Sequence, residues 1–140
     1  MPYVANIRSF TVYMKPQGKA RPRVTRRGAY TPKATVAASN LIAGKYRDLY
    51  GEKKPFSGAV HLYIYAYDAL PQSQPKRVTE APYAVKPDAD NVAKLVMDAL
   101  NKLAYNDDAQ IVQLHVIKKE RRRNEVPRIE VYVSEFNEAH

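Results

Sequence analysis

The chain contains no cysteine, which excludes disulfides and thiolate-bound metals. It has no tryptophan and only 3 phenylalanines in 140 residues, so its aromatic content rests on 11 tyrosines. These are rings that pack while holding a polar tip at a wet surface. No apolar run is long enough to span a bilayer, and the opening "MPYVANIRSFTVYMKP" is too polar for a signal peptide. The expected location is therefore the cytoplasm. Acid is scarce as well: 14 Asp and Glu against 23 Lys and Arg leave a net charge of +9. That surplus favours a polyanionic partner such as nucleic acid over a membrane surface. With 45% hydrophobic residues and a length suited to one core, residues 1–140 are expected to form a single domain.

The alternating "IRSFTVY" (Ile7–Tyr13) predicts a strand. "KPQGKARPRVTRRGAYTP" (Lys15–Pro32) has Gly and Pro but no acid, and reads as a basic loop or loose hairpin. Thr31-Pro32 looks like a cap and first-turn proline, opening a helix to about Tyr50 with Ala34, Ala37, Ala38, Leu41, Ile42 and Leu49 facing the core. "VHLYIYAY" (Val60–Tyr67) predicts a second strand. The prolines at 71, 75, 82 and 87 then mark a long irregular connection, a kind of segment that often carries function. From Asn91 the spacing of Val92, Leu95, Val96, Ala99, Leu100 and Leu103 predicts an amphipathic helix, with Asp90 at its N-cap. Gln110–Lys118 and Arg128–Val133 predict the last two strands. The order β-α-β-α-β-β points to an α+β fold, a mixed sheet with packed helices and a C-terminal β-hairpin.

A strongly basic chain that places Asp88, Asp90 and Asp98 close together, with "NDD" (Asn106–Asp108) soon after, needs a reason, because grouped carboxylates repel one another. Helix capping explains one of them. Two carboxylates at the helix entry and an acidic pair at the next turn fit a hard cation such as Mg²⁺, which takes a few carboxylate oxygens with water and phosphate. Lys94 either pairs with Asp90 or Asp98 at i±4 spacing or offsets charge developing on a phosphate. Two basic tracts flank these acids. The first holds Lys15, Lys19, Arg21, Arg23, Arg26 and Arg27; the second holds Lys118, Lys119, Arg121, Arg122, Arg123 and Arg128. Such tracts are either solvated faces or surfaces that hold phosphates. His61, His115 and His140 lack ligand spacing and read as structural or incidental.

"KPDADNVAKLVMDALNKLAYNDDAQI" (Lys86–Ile111) resembles the signature of RusA-type Holliday junction resolvases, and "GKARPRVTRRGAYTPKAT" (Gly18–Thr35) resembles that family's basic N-terminal segment. The resemblance implies a small homodimeric endodeoxyribonuclease of bacteria and their phages, using Mg²⁺ or in its place Mn²⁺, and acting on four-way junction DNA. It implies Asp88, Asp90 and Asp108 as catalytic metal ligands and Lys94 as the catalytic lysine. Asp107, Asn91 and Asp98 would be supporting residues. Lys15, Lys19, Arg21, Arg23, Arg26, Arg27, Lys86, Lys118, Lys119 and Arg121 would contact DNA. Lys102 stands where relatives often carry glycine, just after "DALN". Two other functions fit the same residues: a non-catalytic nucleic-acid-binding module, or a broader nuclease of flaps and forks.

One geometric difficulty follows. A helix from Asn91 to Leu103 would rise roughly 18 Å at about 1.5 Å per residue, placing Asp90 and Asp108 near opposite ends. Either the chain folds back after Leu103, the simpler route, or two helices pair antiparallel across a dimer so that the site is composite.

Overall fold

The protein, a computed structural model, is described over residues 3–138, with side chains over 6–136. His140 lies outside the described residues. Along the chain run strand β1 (Tyr3–Val12), short strands β2 (Arg23–Thr25) and β3 (Gly28–Tyr30), helix α1 (Lys33–Tyr50), and strand β4 (Val60–Tyr67). The two-residue strand β5 (Glu80–Ala81), helix α2 (Ala89–Leu100), strand β6 (Ile111–Lys118), the two-residue strand β7 (Arg121–Arg122) and strand β8 (Arg128–Glu138) complete it. Setting aside the short ribbons β2–β3 and β5–β7, the expected β-α-β-α-β-β order and α+β class hold.

Period-two alternation builds the sheet. β4 buries Val60, Leu62, Ile64 and Ala66 and turns His61, Tyr63, Tyr65 and Tyr67 to the other face. β8 supplies Ile129, Val131 and Val133 to the same core, and β1 supplies Phe10 and Val12. The sheet order is β1-β8-β4-β6, with β4 antiparallel to β8 and parallel to β6. The chain does reverse between β6 and β8, but these strands lie on either side of β4 and do not pair with each other. Direct pairing in a C-terminal hairpin is thus corrected. The reason is the β4-α2-β6 crossover, which seats β6 alongside β4 in parallel and leaves β8 to fill the other side.

Both helices cover the inward face of this sheet. α2 buries Val92, Leu95, Val96, Ala99 and Leu100 as its periodicity requires, and adds Ala93. It stops at Leu100, short of Leu103: Asn101 is extended and Lys102 takes φ 70°, the left-handed region. α1 begins at Lys33, one residue after the expected proline start, and is rotated from the expected phase. Thr35, Ala38, Ile42, Ala43 and Tyr46 are buried, whereas Ala34 and Ala37 are exposed, as are Leu41 (55%) and Leu49 (53%). Tyr46 fixes that phase, packing edge-on against Phe10 and beside Tyr50.

The segment from Pro71 to Pro87, expected to be wholly irregular, contributes β5, which pairs with β7. Arg123 braces this loop by donating to the carbonyls of Val78 (2.9 Å), Gln74 (3.0 Å) and Pro75.

Candidate active site

The chain entering α2 carries two acids. Asp88, rather than Asp90, occupies the N-cap position, with extended backbone and no side-chain capping bond; Asp90 falls in the first turn. The helix starts early because the Asp88 carbonyl already accepts the N–H groups of Asn91 and Val92 at 3.1 Å. The Asp88 carboxylate is free to turn to Lys86, whose Nζ donates to both its oxygens at 2.9 and 2.8 Å. That hydrogen bond, with the charges of Lys86 and Lys118, holds the Asp88 carboxyl below the usual range. Asp90 and Lys94 stand 3.9 Å apart on the exposed face of the first turns. At that distance and exposure the pair ties up neither group.

The first basic segment is docked on this turn. Lys19 donates its backbone N–H to the Asn91 carbonyl (3.0 Å) and its ammonium to Asp98 (2.5 Å), while Ala20 N–H donates to Thr35 Oγ1 (3.2 Å). A Cβ at Gly18 would stand 2.6 Å from the Asn91 Cβ, so the approach requires glycine. Lys19, Ala20, Arg21 and Pro22 thereby wall a cleft of about 480 Å³ whose other side is Asp88, Asp90, Asn91 and Lys94. Asp98, from the polar stripe of α2, holds Lys19 and not Lys94.

The remaining cations divide into free and engaged. Arg23, Arg26 and Arg27 are exposed on or beside the β2–β3 ribbon. Lys15 reaches Asp68 at 3.4 Å while staying largely exposed, and Lys119 is exposed. Lys118, in contrast, donates to the Val85 carbonyl at 2.6 Å and lies over the Tyr83 ring at 4.6 Å. Arg121 also lies over that ring, at 5.6 Å, and Arg122 pairs with Glu80 at 3.2 Å. Arg128 is fixed between Glu125 and Glu130, each at 2.8 Å. Much of the second basic tract therefore holds the loop that presents Asp88. Nothing in the residue pattern marked Tyr83 as the buried plate under these cations. His115 stacks on Tyr63 and His61 leans on Phe136, each at 4.4 Å.

Asp107 and Asp108 form a separate centre. Asp107 caps a single 3-10 turn, Asp108–Gln110, accepting the Ala109 N–H at 2.9 Å. Gln110 clamps that turn. Its Oε1 accepts from the N–H groups of Asn106 and Asp107 at 2.8 and 2.9 Å, and its Nε2 donates to the carbonyls of Phe56 and Gly58 at 2.8 and 2.9 Å. Gln110 belongs to the motif, yet spacing did not reveal this role, because the two carbonyls it donates to come from a segment more than fifty residues away. The hydrogen bond from Ala109 lowers the Asp107 pKa, while the hydrogen bond shared with Asp107, and then the nearby charges, raise that of Asp108.

The structure does not bring these two centres together in one chain. Asp88 senses Lys118, at the end of β6, whereas Asp108 lies just before its start. The eight residues of β6 span about 23 Å at roughly 3.3 Å per residue. Among the described residues, no group of three or more His, Asp or Glu side chains gathers for a metal. Among the described residues the expected fold-back does not gather Asp108 with Asp88 and Asp90 for a metal; Gln110 instead anchors the Asp107–Asp108 turn to the entry of β4. Asp88 and Asp90 alone still fit a Mg²⁺ that completes its shell with water and phosphate.

Among the described residues, no helix is long and apolar enough to cross a membrane. The chain is similar to the uncharacterized protein YqaN of Bacillus subtilis (strain 168), 33% identical over 139 residues that cover 91% of this chain and 96% of that protein. Residues 14–134 match the profile of the family described as Endodeoxyribonuclease RusA, a span that takes in the docked basic segment, both acidic centres and most of the last strand. The chain belongs to the RusA endodeoxyribonuclease family.

Proposed function

We propose that this protein is a Mg²⁺-dependent endodeoxyribonuclease that resolves four-way DNA junctions in recombination and repair, working in the cytoplasm of a bacterial or phage-infected bacterial cell. The observation that carries this reading is the cleft in which Asp88 and Asp90 face Arg21 and Lys94. It sets a donor pair suited to a hard cation among side chains suited to phosphate, on a chain of charge +9.

Bound by Asp88 and Asp90, the metal (Mg²⁺, with Mn²⁺ as a substitute) would supply a water of lowered pKa and a counter-charge for the attacked phosphodiester. The residues of the chain do the rest. Lys94 offsets charge that builds on the phosphate in the transition state. Arg21 and the exposed Arg23, Arg26 and Arg27 grip the backbone of the arms, which fixes register without reading sequence. Lys86 keeps the Asp88 carboxylate ionised and leaves it as metal and phosphate enter. Asp108 serves as the third carboxylate from a second copy, so the site is composite. A two-fold homodimer then offers two related sites for two related strands.

Cleavage of a synthetic four-way junction with Mg²⁺ and with EDTA tests the reading, beside a flap and a linear duplex. Metal-dependent cutting of the junction in preference to the other two is expected. Binding without cutting would leave a nucleic-acid-binding module, and equal cutting of flap and junction would leave a broader nuclease. Asp90→Asn should abolish cutting while binding survives or strengthens, since a negative charge facing phosphate is removed. Mixed dimers of Asp90→Asn and Asp108→Asn subunits contain one intact site if sites are composite, and nick the junction. If each site lay within one chain, every site would lack a carboxylate and no nick would form.

A further inference from the structure

We infer that the cleft between the end of α1 and strand β1 is a second phosphate site, in which Arg8, Lys53 and Lys54 hold a backbone phosphate of a DNA strand running past Asp107 and Asp108. The inference rests on the nuclease reading above for its ligand, and on the following features for its place.

α1 ends at Tyr50, and the turn after it carries Lys53 and Lys54 toward Phe56 and the start of β4. With Arg8 of β1 these residues wall a cleft of about 620 Å³. Arg8 is half-buried and fixed from several directions. Its Nη1 donates to the Tyr46 hydroxyl at 2.7 Å and to the Lys54 carbonyl at 3.0 Å, and its guanidinium lies 3.9 Å over the Phe56 ring. Among the described residues no carboxylate pairs with it, whereas Arg122 and Arg128 each have one. Its Nε and Nη2 have no protein acceptor among those residues either. That edge of a guanidinium is the one that grips a phosphate with two parallel bonds, and holding it still in advance lowers the entropy lost on binding.

Charge favours an anion in this cleft. Lys53 and Lys54 are exposed, and among the described residues neither pairs with an acid, the preceding Glu52 included. The carboxylate in the wall, Glu135, is buried and accepts the Gly58 N–H at 2.7 Å. Three cations therefore stand against one engaged acid. Asn6, Lys53, Lys54 and Ser57 are all exposed along the rim, so a phosphate can enter while still joined to a strand on both sides. This openness suits a nucleic-acid backbone better than a small enclosed ligand.

Phe56 ties the cleft to the chemistry. Its ring supports Arg8, and its carbonyl accepts from Gln110, whose other amide atom holds the Asn106–Asp107 turn. A phosphodiester approaching Asp107 and Asp108 meets like charge, and cations just across Phe56 offset that repulsion. Arg8 stands apart from both basic tracts, and it meets Lys53 and Lys54 only through the fold.

Binding of a four-way junction in EDTA, followed by fluorescence anisotropy over a series of salt concentrations, tests the site. Lys53→Gln with Lys54→Gln alters exposed side chains only. The pair should weaken binding by roughly tenfold. It should also flatten the plot of log affinity against log salt by about 0.9 for each phosphate contact removed. Lys45→Gln, an exposed lysine of α1 outside the cleft, should leave the slope unchanged. Arg8→Gln should act like the lysine pair, with circular dichroism to check its fold, and the lysine pair decides the matter if it does not fold. Since the chain has no cysteine, Lys53→Cys adds the sole thiol. Against junctions that each carry a thiol tethered to a different backbone phosphate, it should form a mixed disulfide at neighbouring positions of one arm, and Lys45→Cys at none. An unchanged salt slope for the lysine pair, or a cross-link pattern no different from that of Lys45→Cys, would overturn the inference. So would loss of inorganic phosphate binding with junction binding intact, which would leave a site for free anions. If the slope falls and the tether cross-links but no junction is cut with Mg²⁺, the nuclease reading fails and the phosphate site stands. If cutting depends on Mg²⁺ and the lysine pair binds the junction as the natural sequence does, the phosphate site fails and the nuclease reading stands.

Discussion

Gln110→Ala is the substitution that most directly separates stability from catalysis. The side chain makes four hydrogen bonds, two into the Asn106–Asp107 turn and two to the carbonyls of Phe56 and Gly58. A net hydrogen bond contributes about 0.5–1.5 kcal/mol, and the larger loss comes where a buried partner is left without one. The turn N–H groups are exposed and recover water, so they contribute at the low end; the Phe56 and Gly58 carbonyls are partly buried and cost more. The sum is about 2–3 kcal/mol, which at roughly 3 °C per kcal/mol for a domain of this size lowers Tm by about 6–9 °C. Urea denaturation followed by circular dichroism gives the free energy, and an unchanged m-value would show that the comparison is of like states. Releasing the clamp also frees Asp108, so junction cutting should fall by more than tenfold while junction binding changes little. Gln110→Glu keeps an oxygen to accept the two turn N–H groups but faces its other carboxylate oxygen toward two carbonyls, beside an acid pair, and should be worse than alanine. A Gln110→Ala protein that loses less than about 0.5 kcal/mol and cuts normally would refute the clamp.

Three further outcomes are expected. Lys102 sits at φ 70°, a conformation that costs a side-chain-bearing residue about 1–2 kcal/mol, partly offset by the flexibility glycine adds to the unfolded chain; Lys102→Gly should therefore raise stability by about 0.5–1 kcal/mol in thermal melts. Gly18→Ala drives a Cβ against Asn91 and should undock the basic segment, seen as faster proteolysis near Arg21 and weaker junction binding with a nearly unchanged Tm; normal binding would show that the segment adapts. Burial, and next the charge of Asp68, push the Tyr83 hydroxyl up to about 12, so the stability it lends is whole below pH 10 and lost as pH rises toward 12. Its hydroxyl is buried without a partner, so Tyr83→Phe should hold or raise Tm at pH 8 and flatten the alkaline loss, whereas Tyr83→Leu, which removes the ring under Lys118 and Arg121, should lower Tm.

The local elements were legible from the residues. Alternation in "VHLYIYAY" marked β4 to the residue, and the stripe Val92–Leu100 marked α2, because both depend on side-chain period alone. α1 was placed but misphased: its alanines and leucines suit either of two faces, and only Tyr46 meeting Phe10 from a distant strand selects one. The donor set could be named from the D-x-D-N-x-x-K and D-D-x-Q-I patterns. Sequence could not choose between fold-back and a composite site, because that depends on where the chain goes after Leu100.

By itself, then, the sequence determined the identity of the acids, the sign of the surface and the family to which they belong, since charge and spacing are properties of the chain. The tertiary structure decided the rest. A parallel crossover sets β4 and β6 side by side, which puts Asp88 at one end of β6 and Asp108 at the other. Loop docking through Lys19 and Gly18, and the clamp of Gln110, then turn residues far apart in the chain into two fixed half-sites, because hydrogen bonds and close packing act across space without regard to sequence distance.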